Sequence, residues 1–363
     1  SMSMKVKAWK KTIKSSYSKN QIKEQELEQQ INWEFCSAVE RWSLADVPLC
    51  YSLSGGLDSS AIAGAASRRT RIETYSVGYR SSKFNMWNEI EIASEISKEI
   101  QSQHNEIIIG ISDVESDINR MIDIFAEPYG GGLPSYYLFK AANANGHRVI
   151  ITGVGGDELF GNYGNAALYK KTFPSLRSFE IKNYIAAIYM SYNKNPDIPS
   201  LKSPDLTSCD YELDKHLLES LGEVSCIEES VHIFDENTQL PNEFLSMIDL
   251  LSMSFSVEAR TPFLDRRLSD LVLSIPTELR TTIDQEKELM MRSLHDIIPS
   301  SALGRKKSGF SLPLSLLMRH QLKDRFSTLM SKKCLIGQGC YHDAVFDSFV
   351  KPFIDGDNRF VAV

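Results

Sequence analysis

Between Val47 and Thr152 the chain repeats one pattern: a short apolar run, a break of small or polar residues, then a longer segment with apolar positions at helical spacing. Val47-Pro48-Leu49-Cys50-Tyr51-Ser52-Leu53 predicts a strand, and Ser59 to Arg69 a helix. Ile72 to Val77 is rich in β-formers, and Glu89 to Ile100 sets Ile92, Ala93, Ile96 and Ile100 at helical intervals. Glu106 to Ile109 reads as a third strand, followed by helices over Val114 to Phe125 and Ser135 to Asn145. Arg148 to Thr152 reads as the fourth strand. These runs do not alternate with polar residues, as expected of strands covered on both faces, and helices separate them. The pattern predicts an α/β fold, a doubly wound parallel sheet with ligands at the carboxyl ends of its strands.

Outside that stretch the signal changes. Lys5, Lys7, Lys10, Lys11, Lys14, Lys19 and Lys23 precede any acidic residue, and Glu24 to Gln30 then favours helix. Such a charge run is either a docking arm for an acidic partner or a solvated helix over the next unit. A second helical stretch runs from Trp33 to Trp42. Ser1-Met2-Ser3 ahead of Met4 reads as an expression scar. Beyond Asn165 the strand signal disappears; the rest reads as mostly helical, with a Pro/Ser-rich break at Asn195 to Pro204. The expected organisation is a lysine-rich helical arm (1–45), an α/β core (46–165), a helical remainder completing the site (166–320) and a helical C-terminal tail (321–363).

Composition narrows the classes. The 363 residues are 42% hydrophobic and 24% charged, enough to bury a core without covalent staples. A net charge of −7 argues against a nucleic-acid partner. No apolar run is long enough for a membrane span. The six cysteines form no CxxC pair and no Cys/His ligand spacing, so the expectation is reduced thiols in a cytoplasmic protein.

Two strand-end loops carry the candidate chemistry. Ser54-Gly55-Gly56-Leu57-Asp58-Ser59-Ser60 joins a strand to a helix. Glycines there admit a ligand close to the backbone, and N–H groups at a helix start form an anion cradle. The three serines add hydroxyl donors, and Asp58 is a hard oxygen suited to Mg2+. The loop lacks the GK[ST] ending of a Walker A motif. Thr152-Gly153-Val154-Gly155-Gly156-Asp157-Glu158-Leu159-Phe160-Gly161 is the second loop. Asp157 there is either a second metal carboxylate or a helix N-cap, and both roles can coexist.

Taken together these residues resemble a known family. Ser54 to Ser60 is similar to the pyrophosphate (PP) loop of N-type ATP pyrophosphatases, whose fold is adenine nucleotide α-hydrolase-like. The second loop, Ser256-Val257-Glu258-Ala259-Arg260-Thr261-Pro262-Phe263-Leu264-Asp265 and Arg305-Lys306-Lys307-Ser308-Gly309-Phe310 resemble the synthetase domain of asparagine synthetases. Tyr75-Ser76-Val77-Gly78, Glu127-Pro128 and Leu240-Pro241 support the likeness, which covers about residues 45–320. It implies an amide ligase that forms an acyl-adenylate from ATP and a carboxylate, releases pyrophosphate, and transfers the acyl group to an amine.

Carried over by position, Ser54, Gly55, Gly56, Asp58, Ser59 and Ser60 would hold the pyrophosphate half of ATP. Leu53, Val77 and Gly153 would contact the adenosine part, with Gly78 and Thr152 beside them. Asp58 and Asp157 would hold Mg2+. Lys307 aligns with a lysine facing the α-phosphate, where an ammonium stabilises developing charge; its alternative is a surface lysine in a basic turn. Lys287 matches a second lysine near the phosphates. Glu258 is either a structural ion pair or the carboxylate that helps deprotonate the amine.

Two departures limit the likeness. Asparagine synthetases place a glutamate at Val154, and β-lactam synthetases a tyrosine paired with a glutamate at the position of Glu258. Valine can neither transfer a proton nor form a hydrogen bond. The segment before the α/β core is also far shorter than the family's glutaminase domain, and Cys36 falls in a helical pattern. The expectation is a chain that takes ammonia or another amine from solution or from a separate glutaminase subunit. A small-molecule or peptide carboxylate completes the substrates, and the Val154 departure favours a tailoring role on a natural-product, peptide or sugar-acid substrate. Ammonia-dependent asparagine formation is the alternative, as is a non-catalytic ATP-binding subunit. A thiolating or tRNA-modifying pyrophosphatase would need a cysteine pair and a basic face, which the sequence lacks.

Overall fold

The computed structural model describes residues 24–79, 89–125, 132–161, 165–176, 180, 183–184, 227–280, 287–304, 314–320, 322–337 and 344–357. Its strands are β1 (Leu49–Ser52), β2 (Glu73–Tyr79), β3 (Gln103–Ile109), β4 (Val149–Ile151) and β5 (Glu258–Arg260). They form a five-stranded sheet in the order β3-β2-β1-β4-β5, and every neighbouring pair is parallel. From the centre at β1 the chain steps outward to β2 and β3. It then crosses back to place β4 on the other side of β1. That reversal opens a crevice at the carboxyl ends of β1 and β4, where doubly wound sheets bind ligands.

Helix α1 (Glu24–Trp42) precedes β1, and α2 (Leu57–Ser67), α3 (Ile90–Glu99), α4 (Ile111–Phe125) and α5 (Leu133–Ala144) separate the first four strands; α6 (Gly156–Phe160) and α7 (Asn165–Thr172) follow β4. Successive strand side chains point to opposite faces, so the central strands β1 and β4 feed two cores. Tyr51, Leu53, Val149 and Ile151 join one core with α1, α2 and α3. Cys50, Tyr75, Val77 and Ile150 join the other with α4, α5 and the helix Ser246–Ser254. The centre of the sheet is thus covered on both faces, which explains the unalternated apolar runs of β1 and β4. At Gly64 in α2 the close packing is extreme: a Cβ there would stand 2.2 Å from the Ile297 carbonyl oxygen.

One strand departs from the sequence reading. β5 lies beyond Asn165, where no strand is expected, and its three residues Glu-Ala-Arg carry no strand pattern. Pairing with β4 makes it a strand, in the register Val149↔Glu258, Ile150↔Ala259 and Ile151↔Arg260. The two helical stretches expected before residue 45 are one helix, α1. The lysine run ahead of it and the Asn195–Pro204 break lie outside the described residues. No helix among the described residues is long and apolar enough to cross a membrane.

α1 belongs to the first core through Leu27, Ile31, Phe35, Ala38 and Val39, spaced to form one apolar stripe. Its carboxyl end is tied down by Asp265. That side chain accepts hydrogen bonds from Arg41 Nε (3.1 Å), Arg41 Nη2 (2.7 Å) and Trp42 Nε1 (3.1 Å). It also caps the helix Arg266–Leu273 by accepting the Arg267 N–H at 3.0 Å. Burial pushes the Asp265 carboxyl up, but these donors outweigh it and hold the group below the ordinary aspartate value.

Asp265→Ala should lower the unfolding free energy at pH 7 by about 2–4 kcal/mol, read from urea transitions. The sign of the pH dependence follows from the depressed native pKa. The stabilisation is present above the unfolded value of about 3.9 and is lost as pH falls through the native value. The gap between wild type and variant should therefore narrow below about pH 4; a constant gap down to pH 2 would contradict the charge-based account.

Candidate active site

The first loop follows β1 and is folded by its own hydroxyls. Gly55 takes a left-handed φ of 88°, and a Cβ there would meet Ile92 Cγ2 at 2.9 Å. Ser59 Oγ accepts the Ser54 N–H at 3.2 Å, lies 3.1 Å from Ser54 Oγ and donates to the Gly56 carbonyl at 3.1 Å. Ser60 is fully buried, and its hydroxyl donates to the same carbonyl at 2.7 Å. Ser60 therefore shapes the loop from inside and does not face the crevice. No side chain caps α2, whose N-cap is Gly56, so the helix start presents backbone N–H groups.

The second loop follows β4 and packs against the first. A Cβ at Gly153 would stand 2.9 Å from Asp58 Cβ and 3.0 Å from the Ser59 nitrogen. At Gly156 the clash would be with Asp58 Oδ1, at 2.4 Å. The N-cap of α6 is Gly155, with a left-handed φ of 90°, and not Asp157. Asp157 lies in the first turn of α6, buried.

Those contacts set Asp58 and Asp157 on facing loops, and Lys287 joins them. Its Nζ lies 2.7 and 2.5 Å from the two Asp58 oxygens and 2.8 Å from Asp157 Oδ1. Lys287 is 5% exposed, so its charge depends on the carboxylates. Burial by itself would lower its pKa; Asp58 and Asp157 more than offset that and hold it above the ordinary lysine value. Removing one partner of such a buried set typically costs about 3–5 kcal/mol.

α6 has only five residues, too few to hold a position alone. It is held by the Arg280 guanidinium, which donates to the Leu159 carbonyl at 3.2 Å and lies 2.6 Å from His232 Nε2. His232 is buried, and burial together with Arg280 keeps its pKa well below the ordinary histidine value. Nε2 of a neutral imidazole can accept the Arg280 N–H. Sequence reading missed this support, since a histidine in Val231-His232-Ile233-Phe234 and a distant arginine carry no motif.

The remaining residues divide. Leu53 continues β1, its N–H donating to Tyr75 O at 2.8 Å. Val77 and Gly78 sit in β2 opposite Ile107 and Ile108. The Thr152 N–H donates to Arg260 O at 2.8 Å, which brings the second loop out at the end of β5. Glu258 is not brought to the cluster. It opens β5 opposite Val149, at the amino end of the sheet, exposed and paired with Arg260 at 2.9 Å. Arg260 also donates to the Trp42 and Leu44 carbonyls at 3.0 and 2.7 Å, so this pair ties the α1–β1 connection to the sheet. Lys307 and Glu127-Pro128 lie outside the described residues.

Chemically, the crevice offers two carboxylates, one ammonium and a helix start lined by N–H groups. Among the described residues no three His, Cys, Asp or Glu side chains gather to hold a metal. A divalent ion on Asp58 and Asp157 would draw its other ligands from phosphate and water, the habit of Mg2+.

The family model for asparagine synthase matches residues 31–359. Glutamine-hydrolyzing asparagine synthetase 1 of Bacillus subtilis (strain 168) is 26% identical over 357 residues, covering 88% of this chain and 54% of that protein. Asparagine synthetase 3 of the same organism, also glutamine-hydrolyzing, is 27% identical over 300 residues, covering 76% and 47%. The chain thus spans about half the length of these relatives. With the family model matching most of its length, the chain belongs to the asparagine synthase family.

Proposed function

We propose that the chain is an ATP-dependent, AMP- and pyrophosphate-forming amide ligase. The observation that carries this reading is the Lys287 ammonium bridging Asp58 and Asp157 at the carboxyl ends of β1 and β4, beside the uncapped start of α2. The substrate carboxylate attacks the α-phosphate of ATP, pyrophosphate leaves, and an amine then displaces AMP from the acyl-adenylate. Such a reaction asks the protein for orientation and charge neutralisation more than for covalent help.

Each element then has a task. The N–H groups of the first loop, with Ser54, bind the departing pyrophosphate; Ser59 and Ser60 hold the loop in shape. Leu53, Val77 and Gly153, with Gly78 and Thr152 beside them, border the adenosine part. Asp58 and Asp157 would hold Mg2+, a fit supported by two converging hard-oxygen donors and by glycine backbone packed against them. When bound, that ion would neutralise charge on the pyrophosphate. Lys287, and by resemblance Lys307, place positive charge along the phosphate chain.

The amine and the carboxylate are narrower questions. Val154 is half-buried and packed against the second core, so it offers no proton acceptor at the second loop. That supports a base other than residue 154, and Glu258 is turned away at the far end of β5. We read the enzyme as a tailoring ligase acting on a small-molecule or peptide carboxylate, with ammonia or another amine, or a separate glutaminase subunit, as nitrogen source. The names of the relatives, glutamine-hydrolyzing asparagine synthetases, favour asparagine formation as the second reading, which here would draw on aspartate and ammonia.

ATP–pyrophosphate exchange in Mg2+, across a panel of carboxylates that includes aspartate, separates these readings. Exchange with an acid other than aspartate supports the tailoring ligase; amide formation from aspartate and ammonium supports the second. Asp58→Asn should reduce exchange by at least about 100-fold with the fold intact by circular dichroism, and activity within a few-fold of wild type would sink the site assignment. Gly156→Ala pushes a methyl into Asp58 and should cost about 10–100-fold in exchange, since a displacement of about 1 Å suffices for a loss of that order.

A further inference from the structure

The cluster at the carboxyl ends of β1 and β4 already contains its own cation. Lys287 Nζ touches both Asp58 oxygens and Asp157 Oδ1 at 2.5–2.8 Å, the place where a divalent ion bound to both carboxylates would sit. The carboxylates cannot easily make room. Asp58 is boxed in by backbone at Gly153 and Gly156, and Asp157 rides on α6, which Arg280 holds through Leu159 O. Lys287 is the member able to move. Its four-carbon stem is flexible. Its backbone, at φ 57° and ψ 29°, is left-handed, a conformation that costs energy for a residue with a Cβ and persists only where the surroundings impose it. Directly behind it, Leu289 and Met290 anchor the helix Glu288–Ser293 in the first core, so the side chain swings from a fixed base.

Charge sets the consequence. Among the described residues, one ammonium and two carboxylates sum to −1. A bare divalent ion added to that set would press against the ammonium, two like charges competing for the same oxygens. A metal–nucleotide complex removes the conflict, because its phosphate oxygens receive the ammonium that the metal displaces.

From this geometry we infer that Lys287 is the resident counter-ion of Asp58 and Asp157, displaced when metal arrives, so that divalent metal enters the site with a nucleotide and not as a free ion. The inference deepens the nucleotide reading above and rests on it.

The probe is Mn2+, followed by the loss of its free-ion electron paramagnetic resonance signal, with the full chain and no nucleotide. Wild type should bind Mn2+ weakly, and Lys287→Gln at least about tenfold more tightly, since the variant frees the carboxylate oxygens that the ammonium occupies. Adding Asp58→Asn to Lys287→Gln should erase that gain. A second readout guards against a poorly folded variant: Mn2+ should raise the thermal midpoint of Lys287→Gln more than that of wild type. Nucleotide-free Mn2+ binding that is equal or weaker in Lys287→Gln, with no added thermal shift, overturns the inference. So does tight nucleotide-free binding by wild type. The nucleotide reading is tested separately by ATP binding to wild type in Mn2+. Its absence overturns that reading and the coupled entry of metal, whereas ATP binding without a Mn2+ gain in the variant overturns the counter-ion role alone.

Discussion

Two ionised carboxylates facing each other in a buried crevice repel unless positive charge lies between them, and in this chain a lysine supplies such a charge. Asp58 and Lys287 are 229 residues apart in sequence, and Asp157 belongs to a third segment. None of the three segments closes the cluster alone: Lys287 lies between the aspartates and offsets their repulsion, and the aspartates supply the buried ammonium with counter-charge. The crevice is therefore complete only when the sheet, α6 and the helix after Lys287 are all in place. A site assembled this way is preorganised by the fold, which suits chemistry that depends on charge placement more than on covalent participation.

The glycines of the two loops serve that convergence. Gly153 and Gly156 are close because Asp58 needs the space a side chain would fill, and Gly155 turns the chain through a left-handed conformation to start α6. Beneath them the support is polar and buried, with Arg280 and a neutral His232 holding the Leu159 carbonyl end of α6.

The segment Ser256–Asp265 shows why a motif need not be chemistry at every position. Glu258 and Arg260 pair on β5 and fasten the α1–β1 connection, while Asp265 anchors the end of α1 and caps the next helix. Phe263, between them, packs with its ring tilted and 5.2 Å, centroid to centroid, from that of Phe35 of α1. These side chains hold the edge of the sheet, and Thr152 leaves β4 beside them, donating to Arg260 O. Their contribution to the crevice is to fix where the second loop emerges. Val154 sits in that loop as a packing residue, half-buried against the second core.

Local pattern was sufficient for much of the architecture. Strands buried on both faces write themselves as unalternated apolar runs, and the covering helices as 3.6-residue periodicity, so β1 to β4 and α2 to α5 were legible. The loops ending β1 and β4 were legible too, because glycine, serine and aspartate at a strand–helix junction are local chemistry. β5 was not: Glu-Ala-Arg becomes a strand only through its partner β4, and pairing is a non-local property. Whether Glu258 faced the crevice or the sheet's amino end depended on that register, as did the inward turn of Ser60 on its loop. Residue pattern was enough for the fold class and for Asp58 and Asp157, and the family resemblance added Lys287, each nominated singly. That the three form one charged cluster is a property of the folded chain, because electrostatic attraction acts on distance in space and residues far apart along a chain come close by folding.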